Sequence, residues 1–171
     1  SYVMQKSELF SDSIEGNIRW GDENATKEML EKAIDISQAK EFIDSFTLGL
    51  DTKVAEKGAS LSGGQKQRIS IARGIIRKPD ILIFDDATSA LDLATEGKLR
   101  VAMKEHLDST TVIMIAQRIA SVMEADRIAV IENDGTIKHC ATHSELLKTS
   151  QTYYDIYNSQ IRSGAFAEQE A

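Results

Sequence analysis

Leu61-Ser62-Gly63-Gly64-Gln65, running on through Lys66-Gln67-Arg68, is a glycine turn that opens a helical pattern. A Ser-Gly-Gly turn at a helix start aims several backbone N–H groups and the positive end of the helix dipole at one point, which suits a polyphosphate. Taken alone, the same five residues also read as an ordinary glycine turn ahead of a helix. Further on, Ile81-Leu82-Ile83-Phe84-Asp85-Asp86 is a short apolar run ending in two carboxylates. That is the pattern of a buried parallel strand delivering acidic groups to a site at its C-terminal end. Pro79, between the two, stops the helix.

Outward from this pair, residues 2–4 read as a strand end followed by Gln5, and Asp12-Ser13-Ile14-Glu15 carries the acidic-cap pattern of a short helix reaching Arg19. Over residues 26–46, Met29, Leu30, Ala33, Ile34, Phe42, Ile43 and Phe46 recur at helical spacing. Residues 47–60 hold Gly49 and Gly58 with little periodicity and read as a loop, and the next helix is expected from Ser62 to about Arg77. Downstream the pattern alternates as in a doubly wound sheet: strand 80–85, helix 92–107, strand 110–116, short helix 118–124 and strand 127–132. Asn133-Asp134-Gly135 turns that last strand into a hairpin with residues 136–140. Two helices follow. Thr142-His143-Ser144-Glu145 is a capping box, Tyr153, Tyr154 and Tyr157 are expected to pack the final helix on the core, and the small, polar tail after Ser163 is expected to fray.

At 171 residues and 42% hydrophobic, the chain has enough apolar sequence for one substantial core. A formal net charge of −7 leaves no basic stripe for a phosphate backbone, which disfavours nucleic acid as a direct partner. Cys140 is the sole cysteine, so no internal disulfide is possible. No apolar run approaches the roughly 18 to 20 residues of a membrane-spanning helix, so a membrane connection has to come through a partner or through further sequence. His106 and His143 read as surface groups, and His139 beside Cys140 lacks the further ligands of a metal site.

In order and spacing, residues 61–65 and 81–86 resemble the signature motif and the Walker B strand of the ATP-binding cassette (ABC) ATPases. The resemblance implies an α/β fold of the P-loop NTPase class, a parallel sheet core with helices on both faces plus an inserted α-helical subdomain. Residues 1–10 and 78–171 would form a partial RecA-like ATPase core, and 11–77 the helical subdomain with X-loop and signature. In the family the signature reaches across a head-to-tail dimer and caps the γ-phosphate held by the partner, so Ser62, Gly63, Gly64 and Gln65 would contact the partner's ATP. Asp85 takes the position that holds Mg²⁺, as a hard oxygen ligand should.

Asp86 stands where most active members have a glutamate that polarises the attacking water. Aspartate is one methylene shorter, withdrawing the carboxylate by roughly 1 Å, an error that can cost on the order of a hundredfold in rate. Ala87-Thr88-Ser89-Ala90-Leu91-Asp92 resembles the D-loop, with Ser89 and Asp92 toward the dimer interface, although an N-cap by Asp92 has the same appearance. Thr111-Val112-Ile113-Met114-Ile115-Ala116-Gln117-Arg118 resembles the switch strand, and Gln117 replaces the usual histidine. Glutamine donates a hydrogen bond but carries no charge and relays no proton as imidazole does. Gln5 matches the Q-loop glutamine, which would contact Mg²⁺ and the attacking water. The segments Leu9-Phe10-Ser11 and Ile14-Glu15-Gly16-Asn17-Ile18 look like the exporter-type continuation. Thr52-Lys53-Val54-Ala55-Glu56-Lys57-Gly58 resembles the X-loop of exporters, Glu56 being the contact toward the membrane domain, and an ordinary charged loop is the other reading.

The sequence contains no Gly-x-x-x-x-Gly-Lys-Ser/Thr loop. In the family that loop precedes the Q-loop, and the chain begins in strand-like sequence without a methionine. The expectation is therefore a portion covering about the later two-thirds of the domain, which alone binds ATP weakly or not at all and does not hydrolyse it. The resemblance implies ATP and Mg²⁺ as cofactors, a second ABC subunit in a hetero- or homodimer, and a transmembrane domain on the same or an associated chain. It implies a place at the cytoplasmic face of the cell membrane, no nucleic-acid partner, and export as the function, with an impaired site of its own. Two other readings share the signature: a non-catalytic regulatory ABC subunit and an ABC-type ATPase of DNA maintenance. DNA-repair relatives insert a long coiled coil before the signature, and the short stretch from Gln5 to Leu61 has no room for one.

Overall fold

A computed structural model describes residues 1–162. The chain divides into two compact units, one of residues 1–115 and one from Ala116 onward. In the first, β1 (Tyr2–Val3), β2 (Ile81–Asp85) and β3 (Thr111–Ile115) form a parallel sheet in that order, with Tyr2 opposite Ile83 and Ile83 opposite Ile113. The period-2 alternation of strands puts Val3, Leu82 and Phe84 on one face, and all three are buried. Tyr2, Ile81, Ile113 and Ile115 lie on the other, and all four are exposed. The buried face carries the core, and full burial of Leu82 and of Phe84 contributes roughly 1.5–3 kcal/mol each.

The helices of this unit are α1 (Ile14–Arg19), α2 (Lys27–Ile36), α3 (Lys40–Asp44), α4 (Gly63–Ile75) and α5 (Leu93–His106). Most begin on a side-chain cap: Ser13 accepts from the Gly16 N–H, Thr26 from Met29, Ser62 from Gln65 and Asp92 from Thr95. The periodic stretch 26–46 is two helices, broken at Gln38, whose φ of 58° ends α2. The loop 47–60 contains two short 3₁₀ turns, Gly49–Asp51 and Glu56–Gly58. One core joins Ile14 and Ile18 of α1, Leu30 and Ile34 of α2, Ile69, Ala72 and Ile75 of α4 and Leu99 of α5 to the inner face of the sheet.

The second unit consists of α6 (Ile119–Val122), β4 (Ile128–Ile131), β5 (Ile137–Ala141), α7 (His143–Thr149) and α8 (Gln151–Arg162). The strand expected at 127–132 does not extend a doubly wound sheet: β4 pairs antiparallel with β5 in a sheet of two. Two features explain this. Gly135, at φ 78°, lets the chain reverse at once, its N–H donating to the Glu132 carbonyl. The burial of β4 also alternates, Ile128 and Val130 in and Ala129 and Ile131 out, as suits an antiparallel ribbon with one wet face and not a parallel strand covered on both.

Ile119, Ile128, Val130, Leu146 and Tyr153 make this unit's core. Of the three tyrosines expected to pack α8, Tyr153 is buried and Tyr157 half-buried, whereas Tyr154 is 44% exposed, one residue round from Tyr153. His143 is not a plain surface group, because its Nδ1 lies 2.7 Å from the Tyr153 hydroxyl and its ring meets those of Tyr153 and Tyr157 edge-on. The tail expected to fray lies outside the described residues. Among the described residues no helix is long and apolar enough to cross a membrane.

Candidate functional site

At the start of α4, Ser62 and Gln65 close a reciprocal box. Ser62 Oγ accepts from the Gln65 N–H at 3.3 Å, and Gln65 Oε1 accepts from the Ser62 N–H at 2.9 Å. This leaves the N–H groups of Gly63 and Gly64, which have no acceptor within the helix, at an exposed positive helix end, and leaves the Ser62 hydroxyl its own hydrogen to donate. Gly64 permits a close approach: a Cβ there would sit 3.0 Å from the Ala90 carbonyl oxygen, tighter than an ordinary contact. The helix start therefore rests on the segment after β2.

The end of β2 and the residue after it carry the two carboxylates. Asp85 Oδ2 accepts from the Tyr2 hydroxyl at 2.5 Å, and this bond, with some burial and the aspartate charge, raises the phenol above its ordinary pKa. Asp86 stands at φ 49°, a left-handed conformation that aspartate tolerates better than most residues, with its N–H donating to the Ile115 carbonyl at 2.8 Å. Its Oδ2 accepts from Gln5 Nε2 at 2.8 Å, so two of the sequence-selected residues meet directly. The Asp86 carbonyl accepts from Ser89 Oγ at 2.8 Å. Asp92 caps α5 through both carboxylate oxygens, to the Thr95 N–H and hydroxyl, each at 2.8 Å, and these bonds hold its carboxyl below the usual range.

Among the described residues no group of three or more His, Cys, Asp or Glu is suited to hold a metal. Mg²⁺ at a phosphate site is usually bound by one or two carboxylates plus the phosphates, and the carboxylate of Asp85 and the amide oxygen of Gln5 are hard-oxygen donors of that kind, Asp85 bonding Tyr2 and Gln5 bonding Asp86. Glu56 is exposed, at the start of the second 3₁₀ turn. Gln117 belongs to the second unit. Its carbonyl accepts from Gln160 Nε2 at 2.8 Å.

Sequence reasoning passed over the residue that ties these pieces together. Gln67, 4% exposed, takes the Ala90 N–H on its Oε1 at 2.9 Å and donates from Nε2 to the Gln5 carbonyl at 3.4 Å. The available signal was a glutamine on the apolar face of α4, one turn before Ile71 and two before Ile75, where a polar group needs partners. Asn17, fully buried, was also passed over as an individual residue. Its amide pairs with the N–H and C=O of Phe10 at 2.9 and 3.0 Å, while Arg73 on α4 donates to the Asn17 carbonyl, to Asn17 Oδ1 and to the Glu8 carbonyl. Arg73 also lies over the Phe10 ring, which stacks on Trp20 at 4.1 Å. Together these contacts strap the segment after Gln5 to α4.

Comparison with known proteins gives a consistent picture. The profile of the family described as ABC transporter matches residues 1–89, which contain Gln5, the α4 start and both carboxylates. The uncharacterized ABC transporter ATP-binding protein YfiB of Bacillus subtilis (strain 168) is 49% identical over 160 residues, 94% of this chain and 27% of its own length. ABC transporter B family member 21 of Arabidopsis thaliana is 45% identical over 152 residues, 89% of this chain and 12% of its own. A solved structure of a bacterial Atm1-family ABC exporter with ATP bound superposes with a TM-score of 0.89 at 36% identity, covering 94% of this chain and 28% of that one. The chain thus spans between about an eighth and somewhat over a quarter of these proteins. With the match running through the glycine turn and the paired carboxylates from which the reading began, this chain belongs to the ABC transporter family.

Proposed function

We propose that the chain supplies part of the nucleotide-binding domain of an exporter-type ABC subunit, in which ATP binding and hydrolysis at a head-to-tail dimer interface drive export. ATP supplies the phosphoryl group transferred to water, and Mg²⁺ spreads the phosphate charge. Asp85 is the carboxylate toward Mg²⁺, and Gln5 positions Asp86 and offers its amide to the same region. Asp86 is the group facing the attacking water, and Gln117 donates one hydrogen bond to the γ-phosphate. Ser62, Gly63, Gly64 and Gln65 serve the ATP of a second ABC subunit, with Ser89 and Asp92 at the interface. Glu56 faces the transmembrane domain at the cytoplasmic side of the membrane, and residues 11–77 are the helical subdomain that carries it. The exposed apolar face of the sheet, Tyr2, Ile81, Ile113 and Ile115, is where we place the phosphate-holding remainder of the domain, since parallel sheets are normally covered on both faces.

The single observation behind this reading is a contrast in build. The start of α4 is capped, glycine-packed and open to an anion, while Asp86, already short for its task, is drawn to Gln5. The chain's own site is therefore slow, and the site completed by its signature, with the partner's catalytic residues, is the fast one. In the assembled transporter, neutralising the partner's catalytic carboxylate should abolish ATP turnover, whereas Asp86→Asn should lower it less than about threefold. Equal losses from the two changes would show two equivalent sites, as in a homodimer.

A further inference from the structure

We propose that Gln160 is a positioning residue that fixes residues 117–119 for contact with a γ-phosphate. The inference rests on the reading of Gln117 just given. Gln160 Oε1 accepts from the Ile119 N–H and its Nε2 donates to the Gln117 carbonyl, both at 2.8 Å, bringing residues 41 and 43 positions apart into one grip. The two backbone groups orient the amide uniquely, since an N–H needs an acceptor and a carbonyl needs a donor.

The local sequence creates the demand. Ile119 is the first residue of α6, where the N–H has no acceptor within the helix, and Arg118 at the N-cap makes no side-chain cap bond. Gln160 supplies from α8 what the cap does not. The grip is also anchored: Tyr153 of α8 is buried in the same core as Ile119 and bonds His143, and Thr152 Oγ1 donates to Glu132 Oε2 at 2.7 Å. A side chain leaving the backbone at 117 thus starts from a held carbonyl. Displacement of about 1 Å at such a contact can cost on the order of a hundredfold.

The test uses the assembled, exporter-length protein with the partner's catalytic carboxylate neutralised, so that the fast site does not turn over, and reads ATP and ADP affinity at this chain's site together with hydrogen exchange at the Ile119 amide. Gln160→Ala should speed that exchange by roughly tenfold and lower ATP affinity by roughly tenfold, with ADP affinity unchanged within about twofold. Gln160→Glu keeps the shape and the acceptor but sets an oxygen against the Gln117 carbonyl, and should lose the same preference for ATP. Adding Gln117→Ala to Gln160→Ala should cost little more, as for two parts of one contact. Unchanged exchange at Ile119 overturns the grip. Equal weakening of ATP and ADP, or an intact preference for ATP with faster exchange, overturns its part in the γ-phosphate contact. If Gln117→Ala alone leaves the preference intact, the underlying reading of Gln117 has failed and the γ-phosphate role falls with it, a case recognised because Gln160→Ala still speeds exchange at Ile119.

Discussion

The start of α4 and the carboxylates at the end of β2 lie in one unit and are built by different means. The helix start is held by groups with little freedom: a reciprocal cap, a glycine that admits the Ala90 carbonyl, and the buried amide of Gln67. The carboxylates bond side chains from the chain's start at the exposed end of the sheet, Asp85 to Tyr2 and Asp86 to Gln5. The first arrangement fixes donors before any anion arrives, which is the condition for strong electrostatic stabilisation. The second leaves acidic groups engaged with neighbours that have to yield. The difference supports the proposal that the α4 start serves another subunit.

The largest effect should come from Gly64→Val, which sets branched carbons where even a Cβ would stand 3.0 Å from a backbone oxygen. Denaturant unfolding should show a loss of about 2 kcal/mol, and ATP turnover of the assembled transporter should fall by roughly a hundredfold or more. A turnover loss no greater than that of Asp86→Asn would erase the contrast between the two regions. Gln67→Leu comes next. It strands the Ala90 N–H and should cost about 1–2 kcal/mol in the same unfolding assay, with turnover lowered by roughly tenfold as the helix start and the 86–92 segment lose register.

Asp92→Ala should cost about 1 kcal/mol near neutral pH, as the loss of a helix cap does. Its pH dependence has a definite sign. The Thr95 bonds hold the folded carboxyl below its ordinary value of 3.8, so their contribution is present above that value and disappears as the pH falls through the lower, folded one. Unfolding curves of the parent and Asp92→Ala should therefore converge toward acid, and a gap that persists unchanged to pH 2 would assign the effect elsewhere. The smallest effect belongs to the exposed pair: Tyr2→Phe should leave the denaturant midpoint almost unchanged. A loss comparable to that of Gln67→Leu would mean that the carboxylate end is as firmly built as the helix start.

Much of this was legible in the sequence because it is local. Ser62 followed three residues later by Gln65, Asp92 before a helical run, and Ile81 to Asp85 as an apolar strand each carry their structure in adjacent residues. The resemblance implied that Gln5 and Asp86 serve one site, but their direct bond across 81 positions was not legible. Gln67, Asn17 and Gln160 were not legible as functional, since a glutamine or asparagine in a helix declares itself only when the backbone groups it must satisfy are brought to it by the fold. The β4–β5 hairpin was legible in Asn133-Asp134-Gly135, whereas the separation of β4 from the parallel sheet was not, because a four-residue apolar run looks alike in a parallel core and in a hairpin and the alternation that separates them is a matter of burial.

The central claim is that the Ser62 end of α4 serves an ATP molecule held by another subunit. Ser62→Arg, which places a bulky cation at that helix start, tests it directly when the two nucleotide sites of the assembled transporter are followed separately. The account predicts that hydrolysis at the partner's site falls by roughly a hundredfold or more, while ATP bound at this chain's own site keeps its affinity within about twofold. Loss of ATP from this chain's own site, with hydrolysis at the partner's site intact, would contradict it.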